Sequence, residues 1–246
     1  MSIKSFKRLE KKFILTSPQY ENLISILNSY MIPDKYCKDG KTYGIYNIYY
    51  DNENNDVIRH SISKPYYKEK LRLRSYNEFS SPDDIVFLEL KKKMKKIVNK
   101  RRLTLKLKEA YDFLENGKEP DLKEYIDKQV INEIKYYLSK NPVKPSVYIG
   151  YTRNALFGKD DPEFRITFDS KIISRRTNLL LESGCFGDYI LDEDNYLMEV
   201  KFLGSIPLWF TKILSELEIY NTHFSKYGND YMNYCSNNDL RRKNIC

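Results

Sequence analysis

The chain has 246 residues, 41% hydrophobic and 31% charged, enough for one large domain or two small ones around a buried core. Lys and Arg outnumber Asp and Glu by 42 to 34, a net charge of +8 that suits an anionic partner (a phosphate compound, a nucleic acid or a membrane surface) or equally a lysine-rich solvated exterior. No run of about 18 apolar residues encodes a transmembrane helix, "MSIKSFKRLEKKF" has no apolar stretch of a secretory signal, and Cys37, Cys185, Cys235 and Cys246 have no C-x-x-C spacing for zinc or a disulfide framework.

A reducing, cytoplasmic setting is therefore expected. The two histidines, His60 and His223, leave little room for a His-based triad or metal centre. Along the chain, "FKRLEKKFILT" reads as a strand. "SPQYENLISILNSYM" reads as a helix, with Ser17 as N-cap and Pro18 in the first helical position. "KTYGIYNIYYD" is aromatic and β-branched, a strand, and "NNDVIRHSISK" suits a short helix before Pro65. "YYKEKLRLRSY", "DIVFLELKKKM" and "KKIVNKRRLTLKL" follow as three strands of an antiparallel meander. Two helices come next, "LKEAYDFLENG", stopped at Gly117, and "DLKEYIDKQVINEIKYYLSK", stopped before Pro142. Strands resume with "KPSVYIGYTRNALF", "PEFRITFD" and "NYLMEVKFLG", and a helix starts near Pro207. The end combines a short helix with a polar, frayed tail from about residue 236. With no repeat, linker or composition shift, a single domain over 1–246 is the simplest expectation, antiparallel β with helices around it.

The informative feature is charge on alternate strand positions, since successive side chains of a strand face opposite ways. Arg8, Glu10 and Lys12 share a face. So do Arg72 and Arg74, with Leu71 and Leu73 behind them. Glu89, Lys91 and Lys93 lie opposite Leu88 and Leu90, and Lys100 and Arg102 follow on the next strand. Arg153 goes with Tyr151, Arg165 with Thr167 and Asp169, and Glu199 and Lys201 lie opposite Met198, Val200 and Phe202. For one strand, a wet face is the simpler explanation. Six strands together would make a self-repelling positive surface. Closing them into a barrel turns the charges inward, where buried cations cost several kcal/mol each unless an anion such as a polyphosphate offsets them.

These motifs, in this order, resemble the VTC domain, the polyphosphate polymerase module of the triphosphate tunnel metalloenzyme (CYTH-like) superfamily, in its stand-alone bacterial form. The matching elements are R-x-E-x-K at the start, "KLRLRSY", "FLELKKK" with "KRR", "YTRNAL", "FRITFD", "MEVKF" and "FSKYG". The adenylate cyclase and thiamine triphosphatase branch resembles E-x-E-x-K instead. Arg8 stands at the first of those glutamates and favours the VTC-like branch. The resemblance implies an α+β fold, an antiparallel β-barrel tunnel with helices packed around the outside. Lys12, Arg72, Arg74, Lys91, Arg153 and Arg165 would line it and bind phosphates, joined by Lys100 and Lys201. Ser225 and Lys226 would bind phosphate near the mouth, with His223 where relatives often carry Lys. Glu199, with Glu10, would hold Mn²⁺ or Mg²⁺. The implied activity moves the γ-phosphate of ATP onto a growing inorganic polyphosphate chain. The alternatives are a tripolyphosphatase or nucleoside triphosphatase of the same fold and a non-catalytic polyphosphate-binding module. No specific nucleic acid is expected as partner, and membrane association only through a partner protein.

Overall fold

The computed structural model describes residues 8–37, 40–95 and 97–243; Phe6 and the last three residues, Asn244 to Cys246, lie outside them, as do the side chains of Arg8 and of residues 238–243. Strand β1 (Arg8–Thr16) runs directly into helix α1 (Ser17–Leu27). No loop intervenes, so the last strand residue already has the extended backbone an N-cap needs. Thr16 is therefore the N-cap, not Ser17 as expected. It forms a capping box with Gln19, while the Ser17 hydroxyl donates to the Asp194 carbonyl at 2.6 Å. Strands β2 (Met31–Pro33) and β3 (Tyr43–Asp51) follow, then α2 (Asp56–Ile62). The Asp51 carboxylate accepts the backbone N–H groups of Val57 and Ile58 at 2.9 Å each, satisfying donors at the open end of α2.

The expected meander is present as β4 (Tyr67–Ser75), β5 (Ile85–Met94) and β6 (Ile97–Lys106). Helix α3 (Leu107–Asn116) stops at Gly117, whose φ of 70° lies in the left-handed region that glycine enters without penalty. Helix α4 (Tyr125–Lys140) starts four residues later than its sequence pattern suggests. Strands β7 (Lys144–Gly158), β8 (Arg165–Arg175), β9 (Asp188–Tyr189) and β10 (Asn195–Leu203) follow, then α5 (Leu208–Glu216), β11 (Asn221–Thr222) and α6 (Lys226–Lys243). Helix α6 spans 18 residues where the sequence suggests a short helix and a frayed tail.

The chain forms two compact units. One comprises Met1–Tyr43, Tyr151–Ile172 and Leu191–Ser225; the other comprises Gly44–Gly150, Ile173–Ile190 and Lys226–Cys246. Strands β7 and β8 contribute residues to both. In the first unit, Phe13, Leu15, Met198, Val200, Phe202, Ile166 and Phe168 pack with Leu23 and Leu27 of α1 and Phe210 of α5. In the second, Leu71, Leu73, Leu88, Leu90, Leu103 and Leu105 pack with Ala110 and Phe113 of α3 and Ile131 and Ile134 of α4. Each core joins the apolar face of antiparallel strands to the apolar stripe of helices.

The closed barrel is not what the pairing forms. Strand order is β11-β1-β10-β8-β7-β3-β4-β5-β6, with β2 on β7 and β9 on β8, so among the described residues the sheet has two ends, β11 and β6. The fold is mixed, with a large antiparallel sheet that stays open. One of its end strands, β11, offers only two residues for pairing.

Candidate functional site

In the second unit the register of β3 to β6 sets charged residues in rows. Tyr49 lies beside Arg72, Arg72 beside Glu89, and Glu89 beside Arg102. One row on, Lys70 lies beside Lys91, and Lys91 beside Lys100. The leucines take the other face, so the period of two holds through three strands. Glu89 is fully buried and organises the cations. Arg72 Nε donates to its Oε2 at 2.7 Å, and Lys100 Nζ and Arg102 Nε donate to Oε1 at 3.0 and 2.7 Å. Burial opposes ionisation of Glu89. Arg72, Arg74, Lys100 and Arg102 outweigh it and hold the carboxyl well below the usual carboxylate range.

Arg72 also donates to the Tyr49 hydroxyl at 3.2 Å. Arg74 is buried, its Nε donating to Asn47 Oδ1 at 2.8 Å, while Asn47 Nδ2 donates to the Ile149 carbonyl at 2.9 Å. Burial raises the Tyr49 hydroxyl, but Arg72, Arg74 and Lys226 overcome that and leave its pKa lowered. Lys226 opens α6 and is buried in this unit. Lys91 and Lys100 are exposed.

In the first unit, register places Lys12 beside Glu199 and Glu10 beside Lys201, and then Glu199 beside Thr167 and Lys201 beside Arg165. Lys12 Nζ lies 2.9 Å from Glu199 and 3.7 Å from Glu10; Lys201 Nζ lies 3.8 and 3.9 Å from the same two carboxylates. The result is an alternating quartet of two ammonium and two carboxylate groups. Arg153 is clamped bidentately by the fully buried Asp169, Nε to Oδ1 at 2.6 Å and Nη2 to Oδ2 at 2.7 Å. Burial favours the neutral form of Arg153, and Asp169 more than reverses this. Arg165 reaches Asp34 at 3.4 Å and lies over the Phe157 ring, with its Nε buried and without a hydrogen-bond partner. The Thr167 hydroxyl is likewise buried without one.

Glu10 and Glu199 approach the same ammonium groups and offer only carboxylate oxygens, which suits a hard divalent cation that takes its remaining ligands from water and phosphate. No group of three or more His, Cys, Asp or Glu side chains suited to a metal is present among the described residues.

The expected site residues thus fall into two sets. Arg72, Arg74, Lys91, Lys100 and Lys226 belong to the second unit; Glu10, Lys12, Arg153, Arg165, Glu199, Lys201 and the exposed Ser225 belong to the first. Alternation in the sequence sets Glu89 and Asp169 on charged faces without assigning them a role, and Asn47 and Lys70 are absent from the expected site. The signal for the two acids was there, since each is the carboxylate on a strand face of cations.

A profile of the VTC domain matches residues 7–233. A candidate adenylate cyclase from Bacillus halodurans, of known crystal structure, shares 16% identity at a TM-score of 0.54, over 89% of this chain and 93% of its own. That likeness shows a common fold. A chain of the Schizosaccharomyces pombe Mediator head module aligns at 12% identity and a TM-score of 0.43, over 86% of this chain and 90% of its own. No curated protein sequence matches the chain. No helix among the described residues is long and apolar enough to cross a membrane.

Proposed function

The chain belongs to the VTC domain family, and on that premise we propose that it is a metal-dependent polyphosphate polymerase acting on ATP. The coarser function, binding of triphosphate or polyphosphate, follows from family and fold together. The observation that carries the finer reading is the row of Arg72 and Arg102 around buried Glu89, with Lys70, Lys91 and Lys100 alongside.

Phosphoryl transfer asks a protein mainly for alignment and charge stabilisation. The acceptor here is the terminal phosphate of a polyphosphate chain, already anionic near neutral pH, so no strong base is needed. A chain with two histidines meets that requirement. A terminal acceptor oxygen attacks the γ-phosphorus of ATP, the bond to the β–γ bridging oxygen breaks, and ADP leaves. Glu89 holds Arg72 and Arg102 by their Nε edges, fixing both guanidinium planes before the anions arrive. Lys91 and Lys100 add point charges, and Arg74, braced by Asn47, adds another fixed cation. In the first unit, Lys12, Arg153, Arg165 and Lys201 would bind phosphate oxygens, and Ser225 would donate to one. A divalent cation held by Glu199 and Glu10 would supply Lewis-acid neutralisation of phosphate charge.

The deciding experiment incubates the purified chain with ATP and Mn²⁺ or Mg²⁺. A long anionic polymer on a gel, with ADP released in proportion, is expected. Orthophosphate without polymer would replace the polymerase by a hydrolase. Tight polyphosphate binding without turnover would leave a binding module.

A further inference from the structure

Beyond Lys91 and Lys100, the end of the β5–β6 hairpin carries apolar residues and further cations that the phosphate chemistry leaves unexplained. From residue 91 to residue 101 the chain reads "KKKMKKIVNKR", in which every charged residue is basic. Its apolar residues are not buried. Met94 is 45% exposed, Ile97 53% and Val98 50%. Ile97 and Val98 are consecutive strand residues and face opposite sides of the sheet, so both faces of the hairpin end stand in solvent. Register extends the apolar row sideways, with Tyr67 beside Met94 and Met94 beside Ile97. Tyr66, also exposed, accepts a backbone bond from Lys95 and lies under its ammonium, 5.1 Å from the ring centroid.

The acids Glu133 and Glu69 that pair with this stretch are both engaged. Glu133 accepts from Lys92 at 2.9 Å and pairs with Arg101 at 3.0 Å, and Glu69 accepts from the Tyr67 hydroxyl at 2.6 Å. Lys68 and Lys93 add further positive charge on the same rows. A cluster of aliphatic side chains flanked by tyrosines and ringed by lysines matches an anionic bilayer surface layer by layer. Aliphatic groups suit the acyl boundary, tyrosine rings the interface, and ammonium groups the lipid phosphates. A soluble polyanion would make use of the lysines but not of the aliphatic groups between them.

We propose that the β5–β6 hairpin end docks directly onto membranes rich in anionic phospholipid, inserting Met94, Ile97 and Val98 at the headgroup–acyl boundary. The sequence alone pointed to membrane association only through a partner protein. The hairpin offers direct contact instead, and it is independent of which phosphate reaction the chain performs.

The test is co-sedimentation of the full chain, without nucleotide, with vesicles of phosphatidylglycerol and phosphatidylcholine, and with phosphatidylcholine alone. Binding to the mixed vesicles only, weakening with added salt, is expected. Ile97→Asp with Val98→Asp should lower it by at least about tenfold at an unchanged thermal midpoint. Val98→Trp should strengthen it, so the proposal stays testable even if the double variant misfolds. Absence of binding to the mixed vesicles would overturn the proposal, as would native-like binding by a folded double variant or no gain from Val98→Trp. Binding of single-stranded RNA in place of vesicles, lost in the same double variant, would assign the hairpin to nucleic acid and overturn it too.

Discussion

Replacing Glu89 by Gln keeps the shape of the side chain but removes the charge around which Arg72, Lys100 and Arg102 are drawn. Three cations would then face one another across a neutral amide; since Arg72, Lys100 and Arg102 keep part of their contact with water, the loss should be about 1–3 kcal/mol. Denaturant unfolding should read that loss, and added tripolyphosphate should recover more stability in Glu89→Gln than in the native chain. The pH dependence follows from the depressed carboxyl of Glu89. Its stabilisation is fully present above the ordinary carboxylate pKa of about 4.3 and fades as pH falls from there toward the folded value. The native melting midpoint should therefore drop below about pH 4.5, and the Gln variant should drop less. Arg153→Lys is a second test. One ammonium cannot reproduce the two parallel bonds to buried Asp169, so a loss of about 1–3 kcal/mol is expected in thermal unfolding. The faces of Arg72, Arg74, Lys91 and Glu199 could be read from alternation, because the two-residue period is local. The bonds of Glu89 and Asp169 could not. They depend on which residue of the next strand lies opposite, and that register is fixed by pairing across the sheet.

At the scale of elements, the sequence disclosed most strands and helices because their apolar periods are clean, as in the β4–β6 meander. It misplaced ends and missed short pieces. β2, β9 and β11 span three residues or fewer and have too little pattern of their own to read. The N-cap of α1 moved one residue because strand and helix abut. Thr16→Ala should cost about 1 kcal/mol by removing the capping box, and Ser17→Ala should cost less, which unfolding of the two variants would compare. The long α6 was hidden by its polar composition. Asn, Ser and Asp are weak helix formers in isolation, and buried Phe224, Tyr227 and Asp230 anchor its first turns or the residues just before them. Tyr227 donates to Asp51 at 2.7 Å, so the residue that holds α2 also receives α6.

For the molecule as a whole, the net charge of +8 makes anion binding sensitive to ionic strength. Screening shortens from about 10 Å at 0.1 M salt to about 3 Å at 1 M, so tripolyphosphate affinity measured by calorimetry should fall at least about tenfold across that range. Groups paired at short distance, such as Arg153 with Asp169, should hardly respond. Whether the sheet closes could not be read from alternation, because inward and outward residues alternate identically in an open sheet and a closed one. The division into two units was equally hidden, since β7 and β8 pass through both without a change in composition. That passage has its own consequence. The backbone leaves one unit for the other after Tyr43, Gly150, Ile172, Ile190 and Ser225. Neither unit is a continuous stretch of polypeptide, so no single cut or gene fragment isolates one. The two must be synthesised, inherited and lost together.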